Sequence, residues 1–422
     1  MNLQPKIKTT FLKHVSKNLG LINLFGKSFG RLLYLALVAY FSYKLSIKHF
    51  AEFAIFWSSL RMFAFYGTNN INIIYFNKVR HELIENKKWP LEISTNVVLT
   101  ITFFSLLTTF VSFFIFQNTT TSLIMIGCLP FFIIIRIIVE FSKADNNLFL
   151  SIFIDDFLFY VLFFLLSIIG LLYFNDIKTI LYALLASSFF TALTGVFLFA
   201  KKFNINIKHY KIKLSLFSFK DFKLGISYTI LRGNEVLSNF AVRYLGQIYF
   251  GDLFVAYAHI MYQFYNIFSL LTMAVVSGFQ SKITAKASKE FNKFFIKKSY
   301  MRIVKTIFPF IFLLLIVLVL FGNQILLLLF PKFVMYHDLL IKVAFAGLLF
   351  AVLQPLIFIL VYNNRFINIT KLNTFQYIVM ILLFGTPLIF ANFNDQLWFL
   401  LIMISIVIIQ GFFASLNYFK TK

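Results

Sequence analysis

Long apolar runs separated by short polar segments dominate the hydropathy pattern of this chain. A helix that crosses a membrane needs about 20 mainly apolar residues, and twelve runs reach that length. The predicted spans are 21–43, 51–76, 95–116, 122–142, 148–173, 178–200, 222–246, 252–279, 305–330, 338–362, 371–392 and 396–418. The pattern therefore predicts an all-α integral membrane protein with about twelve transmembrane helices.

Composition supports this prediction, because 60% of the residues are hydrophobic and only 13% are charged. Soluble domains have about 45–50% apolar and about 25% charged residues. One water-soluble core cannot bury so much apolar surface. The first 20 residues are basic and precede an apolar run without a small-residue cleavage site, so we expect a retained first helix.

The net charge of +24 is distributed as in a membrane protein. Of the 39 lysines and arginines, 28 fall in segments on the side of the N-terminus, and only Lys44, Lys48, Lys178 and Lys332 fall on the other side. Cytoplasmic loops carry this basic excess, so both termini are predicted to be cytoplasmic. The same distribution argues against a nucleic-acid partner.

The spans divide into two sets of six around a basic central loop at 201–221. We therefore predict an N-terminal bundle at 1–210 and a C-terminal bundle at 211–422. In each half the longest inner loop follows the second span, at 77–94 and at 280–304. Parallel repeats of this kind are common among transporters.

Charged residues nevertheless occur inside the predicted spans. A charge at mid-bilayer costs roughly 2.5–3.5 kcal/mol, so most of them are expected to face protein or a wet cavity. The basic ones are Lys27, Arg31, Arg61, Arg136, Arg232, Arg243 and Lys342, and the acidic ones are Glu140, Asp155, Asp156 and Glu235.

Helical geometry, at about 100° per residue, arranges many of these residues in stripes. Spans 1, 2 and 7 are predicted to line a central cationic cleft. Its candidate substrate-binding residues are Lys27, Arg31, Arg61, Asn72, Arg232, Asn239 and Arg243. Asp155, Asp156 and Glu235 are candidates for ion coupling; the first two are adjacent, so only one can point fully into the cleft.

Simpler structural roles compete with these assignments. Arg136 and Glu140 suit a structural ion pair, Lys27 and Lys342 can snorkel to the interface, and Arg243 near the outer end can act as an interface anchor. His259 is more often a hydrogen-bonded helix residue than a proton relay. The single Cys128 and six scattered histidines predict neither a disulfide nor a metal site, and we expect no cofactor.

Three segments resemble the polysaccharide flippases of the multidrug/oligosaccharidyl-lipid/polysaccharide (MOP) superfamily. In 28–76 the resemblance places Glu52 in a turn and Gly67, Thr68 and Asn69 at the end of the second helix. In "NFAVRYLGQIYFGDLFVAYAHIMYQFYNI" (239–267), Gly246 and Gly251 close one helix and Tyr257 and Ala258 open the next. The segment 321–343 is similar to the ninth–tenth turn, although Pro331 stands where glycine is expected.

The resemblance implies two six-helix bundles that face each other around a cavity. It also implies a flippase that moves undecaprenyl-diphosphate-linked oligosaccharide across the bacterial cytoplasmic (inner) membrane, with polysaccharide polymerase or chain-length machinery as a candidate partner. A diphosphate requires cationic donors, and arginine can bind it bidentately.

Other functions remain open at this point. A multidrug or cation antiporter of the same superfamily predicts an acid-dominated cavity, and a peptidoglycan-precursor flippase usually carries two more helices. A membrane polymerase or glycosyltransferase needs a sizeable outer loop or soluble domain, which the spans leave no room for. The chain is therefore not expected to be an enzyme.

Overall fold

The computed structural model describes residues 19–69, 75, 91–116, 118–144, 148–174, 176–203, 217–287, 292–362, 369–390 and 393–420. Over these residues the chain is helical and contains no strand. The predicted all-α fold is confirmed.

Each of the twelve predicted spans overlaps one helix or several consecutive helical segments. The first six are α1 (Leu19–Lys44), α2 (Ile47–Gly67), α3 (Leu91–Ile115), α4 (Thr119–Ala144), α5 (Leu148–Ile152, Phe153–Leu158 and Phe159–Tyr173) and α6 (Ile177–Lys202). The others are α7a (Phe219–Arg232), α7b (Asn234–Phe250), α8 (Asp252–Ala287), α9 (Lys293–Leu329), α10 (His337–Tyr362), α11 (Ile369–Ile389) and α12 (Asp395–Lys420).

Seven helical segments of the described chain are long and apolar enough to cross a membrane: Thr95–Ile115, Thr119–Ser142, Phe149–Tyr173, Ile177–Lys202, Lys293–Leu329, Pro331–Leu360 and Asp395–Phe419. Large apolar side chains on them point outward, and Leu328 is 81% exposed. Such surfaces need lipid around them. The chain is a multi-pass membrane protein.

The second helix differs from its prediction at both ends. It begins at Ile47, where the Ser46 side chain accepts a hydrogen bond from the His49 backbone N–H at 3.2 Å. Glu52 therefore lies within α2 and not in a turn. The helix ends at Gly67 rather than at 76, and Asn69 follows in the left-handed region with φ 44°.

The seventh span is also not the continuous helix that was predicted. It is interrupted at Gly233, between α7a and α7b. A Cβ at this position would lie 2.5 Å from the Tyr66 hydroxyl of α2, so a larger residue would require the Tyr66 side chain to move.

The helices pack into two compact units. One comprises Met1–Leu32, Ile260–Gln376 and Gln396–Lys422, and the other comprises Leu33–His259 and Tyr377–Asp395. The division into bundles 1–210 and 211–422 stays a prediction. Within the second unit, Trp57 of α2 stacks on Phe159 and Phe163 of α5 at centroid distances of 6.3 and 6.2 Å.

Within the first unit, α8 supports a proline in α10. Pro355 has no N–H, so the Ala351 carbonyl lacks its usual partner four residues on. The Thr272 hydroxyl of α8 lies 3.2 Å from this carbonyl, and also 3.2 Å from the Phe268 carbonyl of its own helix. Thr272 therefore satisfies a carbonyl that the proline exposes.

Thr272→Val should lower the free energy of unfolding by about 1–3 kcal/mol, because a buried carbonyl loses its donor. Thermal unfolding of the purified protein in detergent measures the loss. Thr306→Val is the control, since the Thr306 hydroxyl bonds only the Arg302 carbonyl of its own helix at an exposed site. In a Pro355→Ala background the restored N–H should reduce the effect of Thr272→Val, and an unchanged effect would contradict this account.

Candidate substrate site

Arg243 of α7b is a buried cation within the second unit. Its side chain is only 3% exposed, and its Nη1 donates to the Asn239 backbone carbonyl at 3.0 Å. Among the described lysines, arginines, aspartates and glutamates, it alone is fully buried. Burying a permanent charge is costly unless it is paired or functional. This burial argues against the interface-anchor alternative for Arg243.

His259 of α8 belongs to the same unit. It is fully buried, and its Nε2 is 3.3 Å from the Tyr34 hydroxyl of α1. The rings of Phe50 and Phe53 meet it edge-on at centroid distances of 5.8 and 6.0 Å. The hydrogen-bonded role expected for His259 therefore has a specific partner.

Arg61 of α2 adds a second positive charge. Its side chain is half-buried, and its helix packs against α7b, which carries Arg243. Two arginines thus lie on neighbouring helices of the second unit. We call Arg61, Arg243, His259 and Tyr34 the cationic cluster. Its positive potential suits an anionic group better than a cation.

The hairpin between α7b and α8 fixes Arg243 relative to His259. Gly251 closes α7b with φ 84°, a conformation that favours glycine. The Gln247 side chain donates to Asp252 across the turn at 2.9 Å. At Gly246 a Cβ would lie 2.1 Å from the Phe254 ring. The glycine positions taken from the family resemblance therefore have physical reasons in this structure.

The structure describes only some of the predicted site residues. Arg61, Asn239 and Arg243 lie in the second unit, Asn239 half-buried, and Arg31 is half-buried on the part of α1 that belongs to the first unit. The side chains of Lys27, Arg232 and Glu235, and all of Asn72, lie outside the described residues. The polar stripe of the seventh span is divided by the interruption at Gly233.

The acidic candidates of α5 occupy a π-helical segment, Phe153–Leu158. Asp155 is exposed and Asp156 is half-buried, so the two adjacent carboxylates do face different surroundings. Short π-helical segments are frequent at functional sites. In α4, the Arg136 guanidinium stacks over the Phe65 ring of α2. Its central carbon lies 4.7 Å from the ring centroid.

A second polar cluster was not predicted from the sequence. Asn69 is 1% exposed, and its Nδ2 donates to the Phe222 carbonyl of α7a at 3.0 Å. The Tyr75 hydroxyl donates to Asp221 at 2.8 Å, and Asn96 of α3 accepts from the Ser218 N–H at 3.1 Å. We call these contacts the α7a clamp, because they fix the start of α7a to the end of α2 and to α3.

Tyr75→Phe should destabilise the protein by about 1–2 kcal/mol, since it removes a hydrogen bond to a charged acceptor. Asp221→Asn should have a smaller effect, and the double variant should cost less than the sum of the two. Thermal unfolding in detergent gives all three values. Lys220→Gln, an exposed neighbour, is the control, and strict additivity of the double variant would exclude this hydrogen bond.

No family model matches the chain, and no curated protein matches it either. Solved structures do match. One is the outward-facing conformation of a multidrug resistance MATE family transporter of the MOP superfamily, with a TM-score of 0.65 and 15% identity over 96% of this chain and 94% of that one. The inward-facing conformation gives a TM-score of 0.64 and 15% identity over 92% and 93%. A MATE in the straight conformation gives a TM-score of 0.61 and 17% identity over 96% of this chain and 94% of that one.

These likenesses establish the fold, which extends over nearly the whole chain. The similar structures are MATE transporters of the MOP superfamily and not enzymes. Similarity at 15–17% identity does not show which substrate this protein transports.

Proposed function

We propose that this protein is an alternating-access flippase for a lipid-linked oligosaccharide with an anionic diphosphate headgroup. The observation that carries the proposal is the burial of Arg243 on α7b, which packs against the helix of Arg61. A transporter for cations would require the opposite sign of charge in its interior.

The chemistry of a diphosphate fits arginine in particular. A guanidinium presents several N–H donors in a planar fork that binds phosphate oxygens bidentately, which lysine cannot do. The lipid tail would stay in or beside the bilayer while the sugar crosses a wet cavity. Undecaprenyl diphosphate in a bacterial cytoplasmic membrane is the carrier that the sequence resemblance implies. Lys27, Arg31, Asn72, Arg232 and Asn239 remain candidate contacts for this cargo.

Alternating access is supported by the two MATE conformations, inward-facing and outward-facing, that this chain resembles to similar extents. Asp155, Asp156 and Glu235 remain candidates for coupling this motion to an ion gradient. Polysaccharide polymerase or chain-length machinery is the partner that would take up the translocated unit.

Multidrug export is the second candidate, because the similar solved transporters are described as multidrug resistance proteins. It predicts that a lipophilic cation such as ethidium is transported. The two functions are separated by the sign of the cargo charge. The cationic cluster favours the flippase.

Transport assays with the purified protein in proteoliposomes test both candidate functions. Undecaprenyl diphosphate carrying a fluorescent oligosaccharide is placed in the bilayer, and its transfer between leaflets is followed by quenching with a membrane-impermeant reagent. Ethidium efflux is measured in parallel vesicles. Transfer of the lipid-linked sugar without ethidium efflux supports the flippase, and the reverse result excludes it in favour of multidrug export.

A further inference from the structure

Helix α9 is longer than a membrane span requires. Its 37 residues measure about 55 Å, whereas the hydrocarbon core is about 30 Å thick. All five charges of the helix, Lys293, Lys297, Lys298, Arg302 and Lys305, precede residue 306, and the following 24 residues are uncharged. The first 13 residues therefore extend beyond the hydrocarbon core, on the side predicted to be cytoplasmic.

This extension, Lys293–Lys305, presents a mixed basic and apolar surface. Its buried side is formed by Ile296 and Ile303, which are 0% and 1% exposed. At about 100° per residue, Lys298, Lys305, Phe294 and Met301 fall on the opposite side. Phe294 is 73% and Met301 42% exposed. The segment contains no acidic residue.

A solvated charge run would not need these exposed apolar side chains. Interfacial helices combine Lys or Arg with apolar residues that insert at the boundary between headgroups and acyl chains. The Lys298 ammonium lies 5.8 Å from the centre of the Phe294 ring, so a cation and an apolar group share one contact surface. Pro309 lies within α9 just beyond the basic segment, where proline favours a bend.

We propose that the α9 extension binds anionic phospholipid headgroups of the cytoplasmic leaflet. Clustered Lys and Arg immediately cytoplasmic of a transmembrane helix bind anionic lipid, and each adds to the attraction within a Debye length. The lipid phosphates pair with the exposed side chains of Lys297, Lys298 and Arg302. This interaction is independent of the cargo.

Hydrogen exchange of the full chain in nanodiscs tests the proposal. Amides of 293–305 should exchange about 10-fold or more slowly in discs that contain phosphatidylglycerol than in phosphatidylcholine discs. The difference should disappear at high salt. The triple variant Lys297→Gln/Lys298→Gln/Arg302→Gln should lose it, since removal of three charges weakens binding by about 100-fold.

Two matched variants distinguish specific binding from a general loss of charge or of folding. Lys44→Gln/Lys48→Gln/Lys178→Gln removes three exposed charges from the predicted outer side and should keep the protection. Lys297→Arg/Lys298→Arg/Arg302→Lys conserves the charge and should also keep it. Equal exchange in both lipids, or loss of protection in either matched variant, overturns the proposal. The proposal is also overturned if soluble farnesyl diphosphate slows the exchange of these amides in phosphatidylcholine discs while phosphatidylglycerol does not. None of these measurements depends on the flippase activity.

Discussion

Arg243→Met is expected to slow transport of the lipid-linked sugar strongly while leaving the protein folded. Methionine is an unbranched, adaptable apolar side chain and leaves no charge buried at this position, so the fold should tolerate it in α7b. Transport should fall by about 10–100-fold or more, because a charge-assisted hydrogen bond to the cargo is lost. The rate of leaflet transfer in proteoliposomes and the unfolding temperature in detergent are measured together.

Arg243→Lys separates charge from geometry. Lysine keeps the positive charge but not the bidentate fork, so we expect an intermediate rate. Asn239 contributes only its backbone carbonyl to the bond with Arg243, so Asn239→Ala should leave that bond in place. An Arg243→Met variant that transports at the original rate would remove Arg243 from the site and withdraw the main support for an anionic cargo.

Gly246→Val is expected to be the most destabilising single change in the hairpin between α7b and α8. A Cβ alone would lie 2.1 Å from the Phe254 ring, and that ring is 1% exposed. Overpacking typically costs about 1–3 kcal/mol, and a branched side chain should reach the upper end or prevent folding. Membrane abundance and the unfolding temperature report the effect.

Two further variants keep this prediction interpretable. Gly246→Ala should destabilise less than Gly246→Val, and Phe254→Ala in the same chain should restore much of the loss. Gly385→Ala in α11 is the matched control, because no atom lies within 4 Å of its added Cβ. That change should be neutral or stabilising by up to about 1 kcal/mol. Equal destabilisation at both glycines would show that packing against Phe254 is not the cause.

The sequence was sufficient to predict which segments are helical, because a membrane imposes one length and one composition on each span. It was not sufficient to predict where α2 ends or where α7 is interrupted. Gly67 lies against Ile133 and Gly233 against Tyr66, and contacts between distant residues leave no signal in an apolar run. The predicted second span continued to 76 for this reason.

The candidate site likewise combines residues that the sequence identifies with contacts that the sequence does not predict. Arg61 and Arg243 were identified because charge in an apolar run is expensive wherever the helix packs. The pairing of Tyr34 with His259 and of Tyr75 with Asp221 depends on which helices become neighbours. A single sequence contains no information about that choice. The extent of burial of Arg243, and with it the argument against simple anchoring, also required the structure.

The bond between Tyr34 and His259 has a consequence for biosynthesis. The two residues are 225 positions apart, and α2 packs against α7b in the same unit. During translation, α1 and α2 are therefore synthesised well before α7b and α8. Their surface that packs against these helices can be covered only after the ribosome has passed residue 259. A nascent chain that stops near residue 210 would lack both α7b and α8. We expect such a fragment to be degraded or held by insertion chaperones, whereas one ending after α8 should persist.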